Sequence, residues 1–195
     1  LFGIPAALGL VLLAGPLMAT LFQSDVFDAG DVDMAQRSLV AYALGLQAFI
    51  LIKVLAPGFY ARQDTKTPVR IGVIAMAANM VFNLLLIFPL QHAGLALATS
   101  LSAYLNAYLL WRGLRREQAY VPSPGWRRLG LQVGGAAVGM ALLLVTLAPP
   151  LEAWLAAARL VRVGWLAGLI AAAALVYFTL LWLAGLRPAA LRGRF

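Results

Sequence analysis

The chain has 195 residues, of which 63% are hydrophobic and only 11% are charged. In soluble domains roughly a quarter of the residues are charged, so this composition is typical of a membrane protein. The absence of cysteine excludes disulfides, thiolate metal sites and cysteine nucleophiles, and the single histidine, His92, argues against a histidine metal site. The net charge of +8 indicates loops held at the cytoplasmic face of a membrane rather than a nucleic-acid-binding surface.

Long apolar runs predict an all-α, polytopic bundle with six transmembrane helices. A bilayer core of about 30 Å requires about 20 apolar residues per helix. Runs of that kind lie at residues 2–22, 38–60, 69–89, 93–112, 129–148 and 163–186. The third and fourth runs are separated only by PLQHAG, which predicts an antiparallel pair. Because the sequence starts inside the first run with no basic leader, we expect a fragment that begins at a transmembrane helix.

The charges of the predicted loops indicate the orientation of these helices. The loops after the second and fourth helices and the C-terminal tail carry most of the lysines and arginines, whereas the loop after the first helix carries four aspartates. By the positive-inside rule, the basic loops and both ends of the chain are cytoplasmic. The loop after the fifth helix departs from this pattern, because it carries Arg159 and Arg162.

The segment YVPSPGWRR predicts an internal boundary, since its prolines and glycine break a helix and basic residues flank it. We therefore divide the chain into residues 1–116 with four transmembrane helices, a cytoplasmic linker at 117–128, and residues 129–195 with two further helices and a short basic tail. In the last pair, Gly135 with Gly139 and Gly164 with Gly168 have the GxxxG spacing that lets helices approach closely.

A charged segment, KVLAPGFYARQDTKTPVRIG at residues 53–72, interrupts the apolar runs. Lys53 is placed about 13 Å inside the cytoplasmic end of the second helix, where it either faces a water-filled cavity and meets an anionic group or extends to the headgroups. Pro57 and Gly58 follow it and predict a hinge or kink, because proline removes a backbone hydrogen bond and glycine permits bending.

Three further cations follow in the same segment: Arg62, Lys66 and Arg70. Two interpretations are open for them. They either draw anionic lipid to a cytoplasmic opening or serve only to fix the topology.

Polar side chains also form stripes on the third and fourth helices. Asn79 and Asn83 share one helix face, and Thr99, Ser102 and Asn106 share another. The residues Asn79, Asn83 and Thr99 either join the two helices by hydrogen bonds or offer oxygen ligands to a small cation. No acidic residue lies well inside a span and no phosphate-binding loop is present, so we assign no catalytic residue, no metal site and no enzymatic activity.

The stretch LAPGFYARQDTKTPV closely resembles the MurJ family of lipid II flippases, and the resemblance extends through LFQSDVFDAGDVDMAQRSLVAYALGLQAF, FPLQHAGLALATSLSAYLNAYLL and PSPGW. It implies a protein of fourteen transmembrane helices in the bacterial inner membrane, of which this chain is helices nine to fourteen. It also implies alternating-access transport of lipid-linked peptidoglycan precursor, lipid II, to the periplasmic leaflet. The partners would be lipid II, membrane lipids and the missing N-terminal helices.

The resemblance implies a sodium ion in some members, near the positions of Asn79, Asn83 and Thr99, and no other cofactor. Asn83 is neutral where the family can have a carboxylate, and a further acidic ligand would come from a helix outside the chain. Two alternative functions remain open. One is export of another lipid-linked oligosaccharide or of drugs, by a member of the multidrug/oligosaccharidyl-lipid/polysaccharide exporter superfamily to which the MurJ family belongs. The other is a non-transporting scaffold of cell-wall synthesis.

Overall fold

The computed structural model describes residues 1–23, 29–116 and 126–186. Within those residues the chain forms seven α-helices and no strand, which confirms the all-α prediction. The helices are α1 (Gly3–Leu12), α2 (Ala14–Phe22), α3 (Ala29–Tyr60), α4 (Lys66–Arg116), α5 (Trp126–Leu147), α6 (Leu151–Ala156) and α7 (Arg159–Leu183).

Four of the described helices, α3, α4, α5 and α7, are long and apolar enough to cross a membrane, and a fifth span results if the bent pair α1 and α2 is one. Helix α4 has 51 residues and folds back on itself, so counting its two arms separately recovers the six predicted spans. Two details differ from the prediction. Helix α3 begins at Ala29 rather than near residue 38, and the short helix α6 was not predicted.

The first span is not the continuous helix that the apolar run 2–22 predicts, because α1 and α2 meet at an angle of 70°. The break falls at Leu13, whose backbone φ of −101° and ψ of 13° leave the helical region. Pro16 accounts for it, since proline has no N–H for the carbonyl of Leu12 and its ring crowds that carbonyl.

Helix α4 is interrupted at Gln91, whose φ of 49° and ψ of −126° reverse the chain direction. Pro89 lies just before the break and removes one backbone donor there. Gly94 lies just after it, so close to the carbonyl of Leu86 that a side chain on residue 94 would collide with that oxygen. The two arms, residues 66–90 and 92–116, are therefore the antiparallel pair that the short PLQHAG linker predicts, and each is about 37 Å long.

The chain divides into two compact units. Unit 1 comprises residues 1–32 and 123–195, and unit 2 comprises residues 33–122. The core of unit 1 contains the fully buried side chains of Trp154, Tyr177, Leu144 and Val32. The domain boundary drawn at the linker 117–128 stays a prediction, because residues 117–125 lie outside the described part of the chain.

Helices α5 and α7 pack together in unit 1, and one of the predicted GxxxG glycines lies in their contact. A Cβ atom at Gly139 would collide with the side chain of Leu180. Added Cβ atoms at Gly135, Gly164 and Gly168 would meet no described atom within 4 Å. Close approach therefore depends on one glycine rather than on either complete motif.

Candidate functional site

Lys53 lies on the exposed face of α3, seven residues before the helix ends at Tyr60. That spacing places it about 10 Å from the end of the helix. Its neighbours Leu51 and Val54 are also exposed, so the lysine stands on an apolar face, and no described carboxylate pairs with it. The ammonium group is therefore available to an anionic partner or to lipid headgroups.

Pro57 lies inside α3, which continues to Tyr60 without a break. In a helix its N–H would bond to the carbonyl of Lys53, so proline at this position leaves that carbonyl without its normal donor. Gly58 has a packing role as well, because an added Cβ would lie 3.1 Å from the Leu114 side chain. The hinge at Pro57 and Gly58 stays a prediction.

Packing against both arms of α4 fixes the end of α3. Phe59 is fully buried there and packs with Ile71, Leu110 and Leu114. A Cβ at Gly113 would lie 2.9 Å from the ring of Phe59, so only glycine admits the aromatic ring at that depth. The glycines on both helices thus allow the close approach that positions the turn carrying the cations.

The turn after α3 is a defined helix cap. Gln63 adopts the left-handed region with φ of 59°, and its N–H donates to the carbonyl of Tyr60 at 2.9 Å. The N–H of Asp64 donates to the carbonyl of Phe59 at 3.1 Å. These two bonds form the Schellman motif that ends many helices, although glycine is the usual residue at the left-handed position.

The same turn begins α4. The Oδ1 atom of Asp64 accepts a hydrogen bond from the backbone N–H of Thr67 at 3.0 Å. Hydrogen bonds from the Thr67 side chain and then its backbone lower the pKa of Asp64 below its ordinary value of 3.8. Arg62, Lys66 and Arg70 flank this cap with exposed side chains, so the structure brings these three cations to one end of unit 2.

The polar stripes of the two α4 arms meet each other. The Nδ2 atom of Asn79 donates to Ser102 Oγ at 3.3 Å and makes a longer contact of 3.5 Å with Thr99 Oγ1. Asn83 Nδ2 donates to Asn79 Oδ1 at 3.1 Å. The stripes therefore join the arms, as one of the two interpretations predicts, and Asn79 is the residue on which the network converges.

A cleft of about 380 Å³ opens beside this network in unit 2. Asn79, Thr99, Ser102 and Asn106 supply its polar lining, and the rest is apolar, including Phe49 of α3. Lys53 does not line the cleft. The structure thus separates two features of unit 2. Lys53 lies on one face of α3, and the polar cleft lies beside a different face of that helix.

The polar cluster offers only neutral amide and hydroxyl oxygens to a cation, and the sodium site stays a prediction. Among the described residues no group of three histidines, cysteines or carboxylates is close enough to hold a metal. Asn79 Oδ1 accepts one hydrogen bond from the amide of Asn83, and Thr99 Oγ1 donates its hydrogen to the carbonyl of Leu95 at 3.0 Å, so both oxygens keep a lone pair. Asn83 Oδ1 is buried and accepts no bond from the described chain, and because all three oxygens are neutral, these residues supply no charge to balance a cation.

Sequence reasoning missed the contact that holds α3 against α4. Ser100 Oγ donates to the carbonyl of Ala41 at 2.6 Å, and both residues are buried. Gly45 lies so close to Ser100 that an added Cβ would be 2.8 Å from the serine Cβ and 2.9 Å from its Cα. Small residues three or four apart line both sides, as Ala41, Gly45 and Ala48 do on α3. That spacing of small residues was the feature of the sequence from which this contact could have been predicted.

Comparison with known proteins agrees with the transmembrane architecture. A family model described as "Lipid II flippase MurJ" matches residues 1–163. The chain belongs to the MurJ family of lipid II flippases. Membership confirms the family resemblance that the sequence suggests.

Individual MurJ relatives match nearly the whole chain. A probable lipid II flippase MurJ of Haemophilus influenzae is 47% identical over 187 residues, which is 96% of this chain and 36% of that protein. The lipid II flippase MurJ of Burkholderia cenocepacia is 42% identical over 100% of this chain and 38% of its own length. A Vibrio cholerae relative is 46% identical over 95% of this chain and 35% of its own. The chain thus spans little more than a third of these MurJ proteins.

Proposed function

We propose that this chain is the C-terminal part of a lipid II flippase, which moves lipid-linked peptidoglycan precursor from the cytoplasmic to the periplasmic leaflet by alternating access. The observation that carries the proposal is the MurJ family match over residues 1–163, together with relatives named lipid II flippases that cover 95% or more of the chain. The helices that complete the transporter would come from the remainder of the full-length protein.

The physical task of such a protein is to move a charged headgroup across hydrocarbon. An isolated charge is very costly to place there, so the headgroup needs a path that replaces its water with cations and hydrogen-bond donors. Substrate sites of transporters lie near the bilayer midplane and are commonly built where helices are interrupted. Helix α3 places a cation close to a missing backbone hydrogen bond, because Lys53 stands four residues before Pro57, although the helix itself continues to Tyr60.

Lys53 is our candidate for contact with the anionic part of the substrate. Its exposed position on α3, away from described carboxylates, leaves its charge uncompensated within the described chain. A lysine inside a transmembrane span usually faces a cavity or a partner helix. The ammonium would therefore meet a diphosphate as a charge-assisted hydrogen-bond donor.

The cations around the turn after α3 support a cytoplasmic location for that turn. Arg62, Lys66 and Arg70 lie at one end of unit 2, and such clusters are retained on the cytoplasmic side. We infer an inner-membrane protein with both ends of this chain in the cytoplasm. Near the membrane surface each basic residue attracts anionic lipid by about 1 kcal/mol, which would concentrate substrate at this end.

Substitution of Lys53 tests the substrate contact. Lys53→Met keeps the length of the side chain and removes its charge, and Val54→Met is the matched control, because Val54 is exposed at the adjacent position. The assay is lipid II translocation by the full-length protein, with complementation of a flippase-depleted strain. We expect Lys53→Met to lower translocation by about tenfold or more and Val54→Met to leave it unchanged.

Lys53→Arg should retain most activity if positive charge is what the site requires. If Lys53→Met translocates lipid II as well as the parent protein, Lys53 has no role in substrate contact. If the full-length parent protein moves no lipid II and does not complement, the flippase proposal itself fails.

A labelling experiment tests the orientation. The chain has no cysteine, so Ala61→Cys in an otherwise cysteine-free protein places one thiol at the exposed turn after α3. We expect a membrane-impermeant reagent to label it only after the inner membrane is opened. Labelling in intact spheroplasts would show that the turn faces the periplasm.

A further inference from the structure

One arginine at the start of α7 contacts three separate backbone carbonyls. The Nε atom of Arg162 donates to the carbonyl of Ala157 at 2.8 Å, and Nη2 donates to that of Leu155 at 2.9 Å. Its Nη1 atom donates to the carbonyl of Ala19 at 3.0 Å. The side chain is partly buried. Its most distant partner in the sequence, Ala19, lies 143 residues away.

These carbonyls belong to the C-terminal ends of two helices. Ala19 lies in the last turn of α2, and Leu155 and Ala157 lie at the end of α6. The last carbonyls of a helix lack helical N–H partners, and the helix dipole makes that end partly negative. The planar guanidinium group offers five N–H donors in a fixed fork, so it can serve several such carbonyls at once. Lysine, a compact point charge, cannot reproduce that arrangement.

A second side chain strengthens the same junction. Gln23, the residue that follows α2, donates from Nε2 to the carbonyl of Leu155 at 3.3 Å. The junction therefore connects α2 and α6 directly as well as through Arg162. All of these residues belong to unit 1.

The junction also accounts for the departure from the loop-charge pattern. Arg159 and Arg162 lie in the first turn of α7, in a connection that the positive-inside rule expects to carry few cations. The charge of Arg162 is directed at helix ends rather than at solvent. Arg159, one turn earlier, is exposed, and its side chain donates to no described residue.

We infer that Arg162 is a clamp that fastens the bent first span to the last two helices. The 70° break interrupts the helix between α1 and α2, so the direction of α1 does not determine the direction of α2. Buried Ala19 packs α2 into the apolar core of unit 1, and Arg162 adds a polar bond between the last turn of α2 and the start of α7.

Amide hydrogen exchange of the full-length protein tests the clamp. The variant is Arg162→Gln, and Arg159→Gln is the matched control that removes the same charge from the same turn of α7. We expect Arg162→Gln to speed the exchange of amides in residues 19–23 and 151–157 by about tenfold, with no change in α3 or α4. Arg159→Gln should exchange like the parent. Arg162→Lys should be intermediate, because one ammonium reaches fewer carbonyls.

The result that overturns the clamp is the same exchange in Arg162→Gln and Arg159→Gln. Parent-like exchange in Arg162→Lys would also overturn it, because a single point charge would then suffice. If Arg162→Gln does not accumulate, Arg162→Lys still provides the test, because it retains the charge. A role confined to topology predicts that either glutamine variant is neutral, since each removes a cation from a loop that should hold few. The measurement needs no transport, so the clamp and the flippase proposal can fail separately.

Discussion

The contact between Gly45 and Ser100 sets the spacing of α3 and α4, and replacing the glycine by alanine measures how much stability depends on it. An alanine Cβ at position 45 would lie 2.8 Å from the Ser100 Cβ. Carbon atoms in ordinary contact are about 3.5–4.0 Å apart, so the helices would have to separate by roughly 0.7 Å. The buried bond from Ser100 Oγ to the Ala41 carbonyl, now 2.6 Å, would lengthen by a similar amount.

The expected loss follows from two terms. Weakening a buried hydrogen bond costs about 1 kcal/mol, and forcing apart a close-packed contact costs about 1–2 kcal/mol more. Alanine gains about 1 kcal/mol over glycine in any helix, which partly offsets both. Gly134→Ala in α5 carries the same gain, and its Cβ would meet no described atom within 4 Å. The difference between the two alanine variants therefore isolates the collision, at about 2–3 kcal/mol.

The assay is thermal unfolding of both variants in the same detergent. The unfolding midpoint of Gly45→Ala should lie about 5–10 °C below that of Gly134→Ala. Equal midpoints would refute the close approach of the two helices at Ser100.

Two further predictions concern the turns. Gln91→Gly should raise the unfolding free energy by about 0.5–1 kcal/mol, because glycine relieves the strain of the positive φ at Gln91, whereas Gln47→Gly within α3 should lower it. A lower midpoint for Gln91→Gly would contradict the observed reversal. The lowered pKa of Asp64 predicts that the parent is more stable than Asp64→Asn at neutral pH, and that this margin disappears as the pH falls below 3.8 and through the pKa of the folded state. A margin that is constant from pH 7 to the acid limit would show that the bond to Thr67 contributes nothing.

The sequence predicts the number and approximate positions of the spans well, because the length of an apolar run is fixed by the thickness of the bilayer. It also predicts the antiparallel α4 arms, since PLQHAG is too short for any other arrangement. The bend at Leu13 was not predicted, because the apolar run continues through the break. Pro16 was the residue that indicates it. Periodicity and hydropathy indicate which segments are buried in lipid. They do not indicate where the backbone bends.

The candidate site was predictable in its residue types but not in its contacts. The i, i+4 spacing placed Asn79 and Asn83 on one face, and the structure adds that their amides bond to each other and to Ser102. Which face Lys53 occupies relative to the cleft depends on how α3 is rotated against α4. That rotation is set by Gly45 and Ser100, whose contact joins residues far apart in the chain.

The hairpin shape of α4 has a consequence for biogenesis. The first arm alone would carry the Nδ2 amide of Asn79 into hydrocarbon without its acceptor on the second arm, at a cost of several kcal/mol for an unsatisfied group. Because the arms are joined by a short reversal at Gln91, Asn79 meets Ser102 as soon as the second arm emerges from the ribosome. We therefore expect the translocon to release the two arms into lipid as a pair, with the first arm retained until the second is made.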